Sequence, residues 1–472
     1  MKLLIALAFI LCCSCLLVNA KVNIKLEKTP ISTNIRCSTT LSTGKLTSAP
    51  AATKVDHQHV HKLTTVNLII NIVADLCPHG MMPLAFGLAQ GGGTGWLVAL
   101  GLLVGFGIMS TYTMLSYAAL SKATNTKSIG EIWKKLINHR TEWVVDLSTL
   151  ALCFGCCVFY SAFIGDIFAS LAIAIGLKGL LSERWFVLLL ISAGILLPLC
   201  LLDDLSALQF SSFMGFIGII YTLCFHSIRL WDNSYTPGSR LLSYVPTKMK
   251  PVFLAEGLQM TKISHGTLML SNMLCVAFLA HYNSINYFQE FETSPTTQKY
   301  NVAVSIGFGI SLLIFAAMML TGYHLFGTAA QPLLLNNFPL TADPWANLAR
   351  AATGLAIIFG YPLMFAGLKT SLFSLIDSFT SPQTVRAVTA VVVLITVIAL
   401  QCSEEEVSLV LGIVGSVLGC FVAYILPGVL NIAHHKQQRA MGLENNKLEV
   451  ALNYALVGVG LVFGALGVWA TL

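Results

Sequence analysis

The chain has 472 residues, of which 56% are hydrophobic and only 10% charged, where a soluble domain carries about a quarter charged residues. That composition excludes an ordinary soluble globule and assigns most of the chain to lipid. The formal charge of +6 comes from 27 Lys and Arg residues scattered over short connecting stretches, so it reads as membrane topology and not as a nucleic-acid surface.

Residues 1–20 (MKLLIALAFILCCSCLLVNA) combine one lysine, a short apolar core and a Val-Asn-Ala ending, the pattern of a cleavable signal or targeting segment. Residues 21–62 turn polar and basic, rich in Ser and Thr, and close on His57, His59 and His61; they read as a disordered tail. A cleaved secretory signal would carry this tail across the membrane. An extra anchor, or the start of a bipartite organelle-targeting sequence, are the other readings of residues 1–20.

From residue 64 to residue 472 the chain forms one transmembrane domain, an all-α integral membrane protein of about eleven spans. They fall near residues 64–88, 96–120, 143–175, 185–202, 205–228, 264–288, 302–325, 345–373, 385–400, 406–430 and 450–472. The loop 121–142 holds five Lys or Arg residues and the loop 434–447 three, which places both in the cytoplasm by the positive-inside rule. The stretch 229–262 also holds five, on the opposite side, and its length weakens its vote.

The first span, TTVNLIINIVADLCPHGMMPLAFGLA, is not a smooth helix. Asp75, Pro78, His79, Gly80 and Pro83 crowd its middle; Pro78 removes a backbone donor and disfavours helix at Cys77. Freed backbone groups in a bilayer need a partner, and a carboxylate stranded there is functional by default. Asp75 to Gly80 is therefore expected to unwind around a solute. The sixth span, FLAHYNSINYFQEFE (278–292), is a second polar interruption, with His281, Asn283, Ser284 and Asn286 between apolar stretches. Interruptions five spans apart fit two inverted repeats of five helices meeting at a central site.

The remaining polar groups have plainer readings. Cys153, Cys156 and Cys157 lie among Phe154, Gly155, Val158 and Phe159 and read as packing residues, not as metal ligands. Asp203, Asp204, Glu404, Glu405 and Glu406 sit at turns and are expected to be solvated. Asp166 either faces the bundle or pairs with a loop base. Arg350 and Lys369, near the ends of the eighth span, are expected to snorkel to the interface.

Five pieces in order resemble the amino acid/auxin permease family, which includes sodium-coupled neutral amino-acid transporters and vacuolar amino-acid transporters. They are FGCCVFYSAFIGDIF, LPLCLLDDLSALQFSSFMG, FLAHYNSINYFQEFE followed by GYHLFG, DPWANLAR leading to YPLMFAGLKTSL, and LVLGIVGSVLGCFVAYILPG. The resemblance implies a leucine-transporter-type fold of 5+5 inverted repeats plus one helix, amino-acid substrates, and proton or sodium coupling. It also implies that the substrate binds Leu76, Cys77, Pro78, His79 and Gly80 of span one and Ala280, His281, Tyr282 and Asn283 of span six. Relatives have a glycine-rich run where this chain has Asp75-Leu76-Cys77-Pro78, and Asn71 stands one residue out of register with their asparagine. Ile358 and Gly360 occupy positions where sodium-coupled relatives have threonine ligands. With those oxygens missing, protons are the expected coupling ion, with Asn71, Asp75, His79 and His281 as the candidate coupling groups.

The expected function is secondary active symport or antiport of amino acids by alternating access, and an amino-acid sensor on the same scaffold is the rival. No enzyme motif, cofactor, metal cluster or selectivity filter is evident. The expected location is a multi-pass position in the plasma membrane, a vacuolar or other endomembrane, or a plastid envelope.

Overall fold

A computed structural model describes residues 63–202, 209–253, 257, 259–291, 297–375, 381–401, 412, 414–443 and 446–471. The targeting-like segment 1–20, the tail 21–62, Asp203, Asp204 and Glu404 to Glu406 lie outside the described residues. Among the described residues there are helices and two isolated bridges, and no strand.

The helices are α1 (Thr65–Gly80), α2 (Leu84–Ala89), α3 (Trp96–Thr124), α4 (Ile129–Leu136), α5 (Glu142–Ala174), α6 (Arg184–Cys200), α7 (Gln209–Trp231) and α8 (His265–Ala277). They continue as α9 (Ser284–Glu290), α10 (Thr297–Phe326), α11 (Pro344–Leu375), α12 (Ser381–Gln401), α13 (Leu426–Ala440) and α14 (Lys447–Thr471). Among the described residues nine helical stretches are long and apolar enough to cross a membrane. The broken first span and α6 are shorter apolar pieces. The chain is therefore a multi-pass integral membrane protein.

Caps set several boundaries. Thr64 accepts the Asn67 amide at the start of α1, and Ser264 and Thr267 form a reciprocal capping box on α8. Wide-turn helix interrupts α6 at Ser192–Leu196 and leads into α13 through Val414–Gly419 and Phe421–Ile425.

The first and sixth spans run antiparallel and are tied at both ends. Leu63 N donates to the Glu290 carbonyl at 2.9 Å at one end, and Gly266 N donates to the Gly91 carbonyl at 3.0 Å at the other. α1 packs against α7, α8, α10 and α11, and α11 packs along α5 and α7. These contacts put α1 in the centre of the bundle.

Two expectations about charge are corrected. Arg350 does not snorkel: it is 2% exposed, and its Nη2 donates to the Leu335 and Phe338 carbonyls at 2.9 and 2.6 Å. The turn Leu334–Asn337 and the residue after it aim carbonyls there, and a guanidinium with five donors can serve several of them at once. Lys369 is likewise buried, its ammonium donating to the Leu202 carbonyl at 2.6 Å. Asp166 pairs with Arg184 at 2.6 Å. Cys153, Cys156 and Cys157 are buried in α5.

Candidate functional site

The break in the first span lies later than its sequence suggests. Asp75, Leu76, Cys77, Pro78, His79 and Gly80 are all helical and buried, and α1 gives way only at Met81–Pro83 before α2. Unwinding at 75–80 is thus corrected. Pro78 removes one amide donor, that owed to the Ala74 carbonyl, and α11 packs close enough to shield the gap. A Cβ on Gly360 would sit 3.0 Å from the Ala74 oxygen and 3.4 Å from the Pro78 ring. A single lost bond, packed over in this way, bends a membrane helix without opening it. The sixth span is open: α8 ends at Ala277, residues 278–280 are irregular, and His281–Asn283 form a tight turn before α9.

Asp75 is the hub between the two. Its residue is fully buried, and its carboxylate accepts from Tyr282 Oη at 2.6 Å, Tyr287 Oη at 3.0 Å and Asn283 Nδ2 at 3.1 Å. Asn283 Nδ2 also donates to the Leu363 carbonyl of α11 at 2.8 Å, so one amide joins three spans. Among the described residues no cation pairs with Asp75. Tyr282 reaches it because Gly367 leaves room: a Cβ there would meet the Tyr282 ring at 2.5 Å. Gly367→Ala is expected to cost about 1–3 kcal/mol of overpacking, visible as a lower thermal unfolding midpoint in detergent.

The two histidines do not converge on Asp75. His79 Nε2 donates to the Val276 carbonyl at 3.0 Å, because a carbonyl can only accept; Nδ1 then accepts the Tyr160 hydroxyl at 2.5 Å. It thereby links α1 to α5 and to the last turn of α8. His281, a candidate coupling group alongside Asp75, turns instead toward α3. Its Nε2 lies 2.8 Å from Thr113 Oγ1 and 3.1 Å from the Ser110 carbonyl, beside Tyr117 and Tyr424, and its Nδ1 is buried without a partner. The tight turn at 281–283 rotates neighbouring side chains to different faces, which sends His281 away and Tyr282 and Asn283 inward.

Asn71 lies one turn before Asp75, fully buried, with neither side-chain polar atom bonded. The hydroxyls of Ser161 and Tyr361, on α5 and α11, are also buried without a hydrogen-bond partner at bonding distance. Ala280 is buried, and its carbonyl accepts the Asn283 amide at 3.0 Å. Tyr160, Ser161 and Tyr361 had no sequence signal beyond hydroxyls in apolar runs. Tyr287 was traceable, at helical spacing four residues after Asn283.

A family model for transmembrane amino acid transporter proteins matches residues 61–472. The chain belongs to that family. The transmembrane amino acid transporter family includes named relatives at low identity. The human sodium-coupled neutral amino acid transporter 7 is 23% identical over 423 residues, covering 86% of this chain and 85% of the relative. The vacuolar amino acid transporter 7 of Saccharomyces cerevisiae is 27% identical over 239 residues, 49% of this chain and 44% of the relative. Among solved structures, MhsT in complex with L-phenylalanine superposes with a TM-score of 0.55 at 12% identity, over 86% of this chain and 98% of that one. This family member accordingly has the leucine-transporter-type fold.

Proposed function

We propose that the chain is a secondary active transporter that moves amino acids by alternating access and uses Asp75 as its proton-coupling group. The domain that does so is 64–472, preceded by the targeting-like segment 1–20 and the polar basic tail 21–62. The observation that carries the reading is the fully buried Asp75 carboxylate held by three donors of the interrupted sixth span. An ionised carboxylate offers acceptors only. Adding a proton removes the charge that strengthens all three bonds and turns one acceptor site into an O–H donor, so the hold of the sixth span on Asp75 weakens. Protonation then loosens α1 from α9, and a ligand whose binding depends on that contact becomes coupled to the proton.

The substrate's α-amino and α-carboxylate groups are proposed to meet the non-helical backbone at Met81–Pro83 and Phe278–Ala280. Leu76, Cys77, Pro78, His79 and Gly80, with Tyr282 and Asn283, are proposed as the surrounding wall. The names of the human relative and of the MhsT complex both point to neutral amino acids as the first substrates to try.

A sodium-coupled reading has one observation of its own, the buried and unbonded amide of Asn71, whose oxygen could meet a cation. Against it, Ile358 and Gly360 offer no side-chain oxygen, and Gly360 lies against the Ala74 carbonyl. Uptake into proteoliposomes distinguishes the two. Replacing sodium by choline is expected to leave accumulation intact and a protonophore to abolish it; the reverse pattern would overturn proton coupling.

A further inference from the structure

We propose that Asp146 is a second proton-accepting carboxylate, placed to receive the proton of Asp75 on its way to the face that carries the basic 121–142 loop. The proposal rests on the proton-coupled reading above. Asp146 lies in the second turn of α5 and is 5% exposed; its Oδ2 accepts from Ser374 Oγ of α11 at 2.6 Å. The opening turn of α4 covers it, since a Cβ on Gly130 would sit 2.5 Å from both carboxylate oxygens. A carboxylate in that setting costs free energy to keep, and among the described residues no cation pairs with it.

What gives it a role is the recess it lines. A cavity of about 20 Å³ for the centres of water-sized molecules is bounded by Lys127, Asp146, Thr149, Tyr282, Asn286 and Ser371, among others. That is room for about one water with several polar partners. Tyr282 belongs both to this wall and to the Asp75 site, where its hydroxyl donates to the carboxylate. It is the partition between the two acids. Lys127, which also lines the recess, is exposed.

The step balances without any other reactant. When protonation of Asp75 releases Tyr282, the Asp75 O–H faces the recess; that bond breaks as its proton passes to the water, and an O–H bond forms on Asp146. Asp146 then gives the proton to bulk water beside Lys127 and returns to the carboxylate. Among the described residues the ionisable groups nearby are few. Glu142, one turn earlier on α5, is paired with Lys134 at 3.2 Å. Glu131 accepts the Lys127 amide at 2.7 Å, and Lys369 on α11 is drawn to the Leu202 carbonyl. Tyr282 faces the recess from the sixth span.

The test uses the full chain in proteoliposomes with a labelled mixture of the standard amino acids. Accumulation driven by a pH gradient is compared with exchange of internal for external amino acid, which needs no net proton release. In Asp146→Asn, driven accumulation is expected to fall at least about tenfold while exchange persists. Full accumulation in Asp146→Asn overturns the proposal and leaves the Asp75 reading intact. Loss of exchange together with accumulation overturns it in favour of a packing role. Wild-type accumulation that ignores the proton gradient defeats the Asp75 reading itself. Ser374→Ala keeps the carboxylate and removes its donor, so the carboxyl holds its proton more tightly. The midpoint of accumulation against internal pH is then expected to rise, and an unmoved midpoint counts against Asp146.

Discussion

Replacing Asp75 by Asn is expected to bring the steady-state accumulation ratio of amino acid down to about one, whatever pH gradient is imposed. A proton moved down one pH unit releases about 1.4 kcal/mol, so one-to-one coupling sustains about a tenfold concentration ratio per unit in the wild type. The amide cannot take up or release that proton. Its single carbonyl oxygen also cannot stand in for both carboxylate oxygens, so the contact with Tyr282 or that with Asn283 and Tyr287 must change as well. Ratios measured in proteoliposomes over a series of imposed gradients give the slope directly. A slope in Asp75→Asn equal to that of the wild type would remove Asp75 from the coupling mechanism.

Arg229→Met is expected to destabilise the protein by about 3–5 kcal/mol. Asp343 is 1% exposed and accepts from Arg229 Nε at 2.9 Å, Arg229 Nη2 at 2.6 Å and Tyr235 Oη at 2.8 Å. It also accepts the amides of Trp345 and Ala346 and so caps α11. Burial, and then the adjacent Asp343 carboxylate, pushes the Tyr235 hydroxyl's pKa up, which keeps it a donor at neutral pH. Removing the guanidinium leaves a carboxylate buried with only neutral donors. The double variant Arg229→Met/Asp343→Asn is expected to recover most of the loss, since Asn still caps the helix. Thermal unfolding in detergent reads both, and an unshifted midpoint in the single variant would mean that the ion pair contributes nothing net.

The fold was legible because lipid imposes a strong rule. Apolar runs free of charge, such as Trp185–Leu202, can be little else than helix, and most span limits moved by only a few residues. The site was legible in its elements and less so in its directions. Asp75 and Asn283 were marked by polarity, and they do meet. Pro78 misled because a proline signals a lost bond without saying whether a neighbouring helix will cover it; that depended on Gly360, far away in sequence. His281 and Tyr282 are adjacent letters that face opposite ways, and only the local turn decides which points inward. Tyr160, beside His79, is a contact across 81 positions of chain, for which a single sequence carries no signal.

The buried positions of Arg350 and Lys369 bear on how the protein is made. At 1.5 Å per residue they stand about 29 Å apart along α11, close to the roughly 30 Å thickness of a hydrocarbon core. A newly inserted helix, before its neighbours arrive, can therefore hold one cation in each headgroup layer and avoid the penalty of roughly 2.5–3.5 kcal/mol for a cation at the bilayer centre. Assembly withdraws both from the lipid surface: Arg350 onto the carbonyls of residues 335 and 338, and Lys369 onto that of residue 202. In the folded protein the two residues are fasteners, and substitutions at either position are expected to affect the yield of correctly inserted chains separately from the stability of the finished fold.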